Sequence, residues 1–155
     1  MTDTAPTVSA DIVISADPAK VYALITDLDV MSGIAAETTS MAWIRGRGAA
    51  PGAKFKGRNA NGGKKWTTTC TVTAAEPGRA FEFEVKSAVL PIARWRYDIE
   101  AVDGGCRVTE STWDRRPGWF VPIGGKATGV VDRAGANADH IRMTLAGLKA
   151  RAEAV

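Results

Sequence analysis

"ISADPAKVYALITDL", Ile14 to Leu28, passes from one periodicity to another within three residues, and the rest of the chain can be read outward from that corner. Before it, Val8, Ala10, Ile12 and Ile14 alternate with Ser9, Asp11 and Ser15, the period-two pattern of a half-buried strand broken only by Val13. After it, Asp17 can cap a helix by accepting a hydrogen bond from a free backbone N–H, and Pro18 suits the first helical position, where no N–H is needed. Val21, Leu24, Ile25 and Leu28 then fall at i, i+3, i+4 and i+7, giving one apolar helical face. Asp27, Asp29, Ser32 and Gly33 interrupt this pattern, while Val30, Met31 and Ile34 allow a second short helix. A strand feeding two brief helices reads as a plug packed against something larger.

The larger partner is a series of alternating segments. Met41, Trp43 and Arg45 share one face opposite Ala42 and Ile44, and the segment ends in the turn region Gly46 to Gly52. In "AKFKGRN" Phe55, Gly57 and Asn59 lie opposite Lys54, Lys56 and Arg58; Asn61, Gly62 and Gly63, which tolerate positive φ, predict a hairpin. "WTTTCTVT" sets Trp66, Thr68, Cys70 and Val72 against four threonines, a β-branched pattern that favours a strand. "FEFEV" and "RWRYDIE" alternate in the same way, with Phe81, Phe83, Val85, Trp95, Tyr97 and Ile99 reading inward. "CRVTESTWD" closes the series with Cys106, Val108, Glu110 and Thr112 on one side. Short connections between alternating strands predict an antiparallel sheet of about seven strands, dry on one face and wet on the other.

The dry face needs a cover. From about Thr128 the period becomes helical, with Val130, Ala134, Asn137 or Ala138, Ile141, Leu145 and Leu148 as the apolar stripe. Ahead of it, "RPGWFVPIGGKAT" reads as a loop or broken helix carrying Trp119, Phe120, Val121 and Ile123, placed to act as a gate. A twisted, curling sheet and a straight helix touch best along one line, so a space is expected between them.

The 155 residues suit one domain spanning 1–155, and 45% hydrophobic with 24% charged residues is ordinary for a soluble globular protein. The opening MTDTAPT has no basic flank or apolar run, and no apolar stretch approaches the roughly 20 residues that span a membrane, so the expected location is cytoplasmic. Cys70 and Cys106 stand alone, without a second Cys or His at ligand spacing, and read as buried free thiols. His140 is the only histidine and by itself makes neither a triad nor a metal site; no compact His, Asp and Arg constellation is visible, and no metal or cofactor is expected. The net charge of +3 is spread along the chain, which argues against nucleic acid as the partner. Its densest run, Lys54, Lys56, Arg58, Lys64 and Lys65, reads first as a solvated hairpin and second as a surface for transient contact with an anionic membrane, RNA or another macromolecule.

The order of elements, together with "ADPAKVYALITDLD", "PGAKFKGRN", "WTTTCTVTAAEPGRAFEFEV", "RWRYDIEAVDGGCRVTES" and "MTLAGLKARAE", resembles the START-like (SRPBCC) superfamily, in particular its bacterial polyketide cyclase/dehydrase group. The resemblance covers nearly the whole chain. It implies the α+β helix-grip fold: a seven-stranded curved antiparallel sheet wrapped around a long C-terminal helix, with two short helices after the first strand. It also implies a cavity for a hydrophobic small molecule such as a lipid, polyketide or aromatic metabolite. On the inward pattern the expected ligand-binding residues are Trp43, Phe55, Trp66, Phe83, Trp95, Tyr97 and Ile141, with Asn59, Thr68 and Asn137 as polar contacts; the aromatics read equally as plain core packing.

Glu110 falls on the dry face, where a carboxylate must be paired, hydrogen-bonded or protonated. Arg45 is the nearest inward-reading cation. Glu110 therefore reads as a buried anchor or as a catalytic acid/base in a cyclisation or dehydration, with Tyr97 or Asn59 as hydrogen-bonding helper. Three functions follow from these features: ligand binding, catalysis by a polyketide cyclase/dehydratase, and macromolecular interaction through the basic hairpin.

Overall fold

The corner forms because each helix start has its own acceptor. In the computed structural model, which describes residues 4–154, β1 (Val8–Ile14) runs into α1 (Pro18–Ile25), and the Asp17 side chain accepts from the Ala19 N–H at 2.8 Å. Asp27, an interruption in the apolar pattern, caps α2 (Leu28–Ile34) by accepting from Asp29 and Val30 at 3.0 and 3.2 Å. Val21, Ile25, Leu28 and Met31 are the side chains these helices bury. Met1–Asp3 of the MTDTAPT opening, and Val155, lie outside the described residues.

The strands that follow are β2 (Thr38–Arg45), β3 (Lys54–Asn61), β4 (Lys64–Glu76), β5 (Ala80–Ser87), β6 (Leu90–Val102) and β7 (Gly105–Asp114). They pair antiparallel in the order β1-β7-β6-β5-β4-β3-β2, so the first strand joins the last and β2 forms the far edge. Register shifts at Val72/Ala74 and Val85/Lys86 interrupt the ladder where β4 and β5 bend, and such bulges deepen the twist that curls the sheet. Phe55 faces Cys70, Phe83 faces Trp95 and Tyr97 faces Glu110 across neighbouring strands of the concave side. On the convex side Glu82 accepts from Thr73 and Arg96 at 2.7 and 3.1 Å, and the Arg94 guanidinium lies 3.7 Å from the centre of the Trp113 ring.

The C-terminal segment differs from its sequence reading in detail. "RPGWFVPIGGKAT" contains a helix, α3 (Val121–Thr128), which Gly129 ends at φ 75°. Trp119 and Ile123 are exposed. The long helix α4 (Arg133–Glu153) therefore begins after Val130, with Asp132 accepting from the Gly135 N–H. Its buried residues are Ile141, Thr144, Leu145, Leu148 and Ala152, and it packs on β1, β7 and the two N-terminal helices. No helix among the described residues is long and apolar enough to cross a membrane.

Gly105, at the start of β7, holds the corner closed. A Cβ there would overlap the Ile14 carbonyl oxygen and come within 3.0 Å of the Ile14 carbonyl carbon and Ser15 Cα. These are backbone atoms of the strand end, which cannot move without opening the β1–β7 ladder. Gly105→Ala is therefore expected to lower stability by about 1–3 kcal/mol, the usual cost of overpacking, whereas Gly48→Ala, which meets nothing within 4 Å, is expected to change it little. Urea unfolding of both variants checks this.

Candidate functional site

Curvature leaves a cavity of about 270 Å³ between the concave sheet and the helices. Its sheet wall comes mainly from β3 to β6, with Phe55, Phe81, Phe83, Trp66 and Trp95; α2 adds Leu28 and Met31, Phe120 comes from just before α3, and α4 covers it with Asn137, His140 and Thr144. Phe55 and Phe83 meet edge-on at 5.1 Å between ring centres, which stiffens the apolar wall. Cys70 also lines this space. Burial pushes its thiol up to about 12, against the weaker opposing pull of its hydrogen bond with Thr68, so it is not a thiolate nucleophile at neutral pH.

Two polar sites break the apolar lining. The first is Glu110, 3% exposed, whose Oε2 accepts from the Tyr97 hydroxyl at 2.9 Å while Oε1 is buried without a hydrogen bond. Burial pushes its pKa up to about 8, and the Tyr97 hydrogen bond, which favours the charged form, only partly opposes this. Burial, reinforced by the charge of Glu110, holds Tyr97 well above its ordinary range. At neutral pH the pair is thus a carboxylic acid beside a phenol, both holding protons.

The second site lies where the start of β2 meets α4. Glu37 Oε1 accepts from Arg133 Nη1 at 2.5 Å and lies 3.6 Å from His140 Nδ1, and Glu37 Oε2 is buried without a partner. Asp114 and Arg116, joined at 2.7 Å, line the cavity as well. Burial raises the Asp114 pKa, but the hydrogen bonds and charge of Arg116, with the charge of Arg133, outweigh it and hold the group below its ordinary value.

Of the residues expected from the inward pattern, Phe55, Asn59, Trp66, Thr68, Phe83, Trp95, Tyr97, Asn137 and Glu110 line the cavity. Ile141 does not: it is fully buried in the core, one helical step from His140. Trp43 is also outside the lining, packed edge-on against Phe55 at 5.5 Å. Arg45, the nearest cation that the alternation reads as inward, is exposed at the end of β2. A register shift between Trp43 and Arg45 breaks the alternation there, so the face assigned by simple period-two counting fails.

The expectation that no His, Asp and Arg constellation exists is corrected by the fold, which gathers Glu37, Asp114, Arg116, Arg133 and His140 from three separate parts of the chain. One signal was available: Arg133, Asn137, His140 and Thr144 recur at helical spacing beside the apolar stripe. Among the described residues no group of three or more His, Cys, Asp or Glu could hold a metal ion.

The model of the family described as "Polyketide cyclase / dehydrase and lipid transport" matches residues 5–153. Among solved structures, a polyketide-cyclase-like protein of Corynebacterium glutamicum is 27% identical, with 92% of this chain and 88% of that one covered at a TM-score of 0.61. A protein of Chromobacterium violaceum shares the fold at 13% identity, a TM-score of 0.72 and 96% and 98% coverage. So does half of the di-domain ARO/CYC protein of the steffimycin biosynthetic pathway, at 14% identity and a TM-score of 0.72, over 94% of this chain and 50% of that one. A search of curated proteins returned no match. A family model spanning all but the extreme ends, on a seven-stranded grip around a long C-terminal helix, means that the chain belongs to the polyketide cyclase/dehydrase and lipid transport family of the START-like superfamily.

Proposed function

We propose that the protein binds an apolar small molecule, a lipid, polyketide or aromatic metabolite, in the cavity between sheet and α4, and that it does so in the cytoplasm. The observation that carries this reading is the cavity itself, about 270 Å³, whose wall is mostly aromatic and aliphatic surface with polar side chains a minority of it. Burying about 300 Å² of ligand surface at roughly 25 cal/mol per Å² contributes about 7 kcal/mol, and the loss of motion on binding takes back part of it. Apolar burial alone therefore supports at best micromolar affinity, with polar contacts setting the rest. Two buried cysteines left as free thiols support the location.

A second reading, acid/base catalysis in a cyclisation or dehydration, draws support from Glu110. A carboxyl group that keeps its proton to about pH 8 can give it to a carbonyl oxygen and take one back, and Tyr97 orients it.

Binding is tested with N-phenyl-1-naphthylamine, a neutral probe whose fluorescence rises in apolar surroundings. Wild type is expected to bind it at micromolar concentrations. Thr68→Trp, which places an indole in the cavity, is expected to weaken binding at least tenfold with the circular dichroism spectrum unchanged. Equal binding by both proteins would move the ligand elsewhere.

The protonation of Glu110 has a separate signature. Its folded pKa of about 8 lies above its ordinary 4.5, so between those values the folded state holds more protons than the unfolded one. Stability then falls as pH rises through this window, by up to about 1.4 kcal/mol per pH unit from this group. Glu110→Gln removes that slope: the variant is expected to lose less stability than wild type between pH 5 and pH 8 in urea unfolding.

A further inference from the structure

Two of the carboxyl groups that line the cavity, those of Glu110 and Glu37, stand on opposite sides of the sheet. Glu110 belongs to β7, next to the β1 edge, whereas Glu37 immediately precedes β2 at the other edge and is tied to β3 by the hydrogen bond from Ala60 N–H to its carbonyl oxygen. Each uses one side-chain oxygen and leaves the other buried without a partner among the described residues. At Glu37 the division is clear, because Arg133 and His140 both approach Oε1 and neither serves Oε2. The cations of this corner are committed: Arg133 to Glu37, Arg116 to Asp114. What the corner offers a guest is therefore acceptor capacity, not free positive charge.

We infer that Glu37, clamped by Arg133 and flanked by His140, is a second polar subsite that binds a hydrogen-bond donor of the ligand, so that the cavity selects an apolar molecule carrying a hydroxyl group over one carrying a carboxylate or only acceptor atoms. Oε2 is shielded, and engaging it takes rotation about the last side-chain torsion, which for a carboxyl group is soft. A hydroxyl group that reaches it gives the orphaned oxygen its missing partner and makes a charge-assisted bond in an apolar surround. An added carboxylate would instead face Glu37 and Asp114, both already neutralised by their arginines, and would bring a desolvation cost without a free cation to offset it. The inference rests on the binding reading above and narrows its ligand class.

The test uses trans-stilbene, 4,4′-dihydroxystilbene and 4,4′-dimethoxystilbene, titrated into wild type, Glu37→Gln and Glu37→Asp and followed by quenching of tryptophan fluorescence, since Trp66 and Trp95 line the cavity. Wild type is expected to prefer the dihydroxy over the dimethoxy compound by about tenfold, the effect of one hydrogen bond to a charged group. Glu37→Gln presents an amide that can donate where the carboxylate only accepts, and Glu37→Asp withdraws the carboxylate by one methylene. Both are expected to lose most of the preference, read within each variant as the ratio of its affinities for the dihydroxy and dimethoxy compounds. A preference unchanged in both variants, or absent from a wild type that binds stilbene, overturns the subsite. Failure of wild type to bind stilbene at all instead counts against the binding reading, and with it the inference.

Discussion

A straight helix cannot follow a sheet that curls away from it, and the protein is arranged around that mismatch. Seven strands ordered from β1 to β2 across the sheet bend at their bulges, and α4 touches the side formed by β1 and β7, away from the β4 and β5 wall. The contact side is a packed core with Ile14, Cys106, Val108, Ile141 and Leu148, all essentially inaccessible. The far side stays hollow, and the aromatics of β3 to β6 face that hollow. The N-terminal corner shuts one end, and the bare backbone of Gly105 is what allows β1 to turn there.

Burial in a hollow governs the polar groups as strongly as the apolar ones. Glu110 meets a phenol and no cation among its hydrogen-bond partners, and so keeps its proton. Glu37 and Asp114, nearer the start of β2 and the end of β7, each meet an arginine instead. One cavity thus holds a carboxylic acid at one place and ion-paired carboxylates at another, set apart by their neighbours and not by residue type.

Much of this was legible in the sequence because period-two alternation survives burial: Phe81, Phe83, Trp95, Tyr97 and Glu110 could be assigned to one face by counting alone. Counting failed where the ladder slips. Arg45 follows a register shift and lands in solvent, and Trp43 next to it packs behind Phe55 outside the cavity. On α4 the apolar stripe was visible, but the cavity takes the adjacent stripe, Arg133, Asn137, His140 and Thr144, of which hydrophobic spacing points only to Asn137. The Glu37–Arg133 pair spans residues far apart in sequence, and only the closed sheet with its helix brings them together. Long-range pairing of this kind leaves no local trace in composition or period.

The two stripes of α4 lie side by side yet serve different ends. Ile141, Leu145 and Leu148 anchor the helix in the interior, while Arg133, Asn137 and His140, offset by one position or less than a turn, look onto the hollow. Substitution at Asn137 or His140 can therefore change what the hollow presents while the anchoring residues and the strand order stay intact. Such a division lets one scaffold diversify its chemistry at little risk to its own folding.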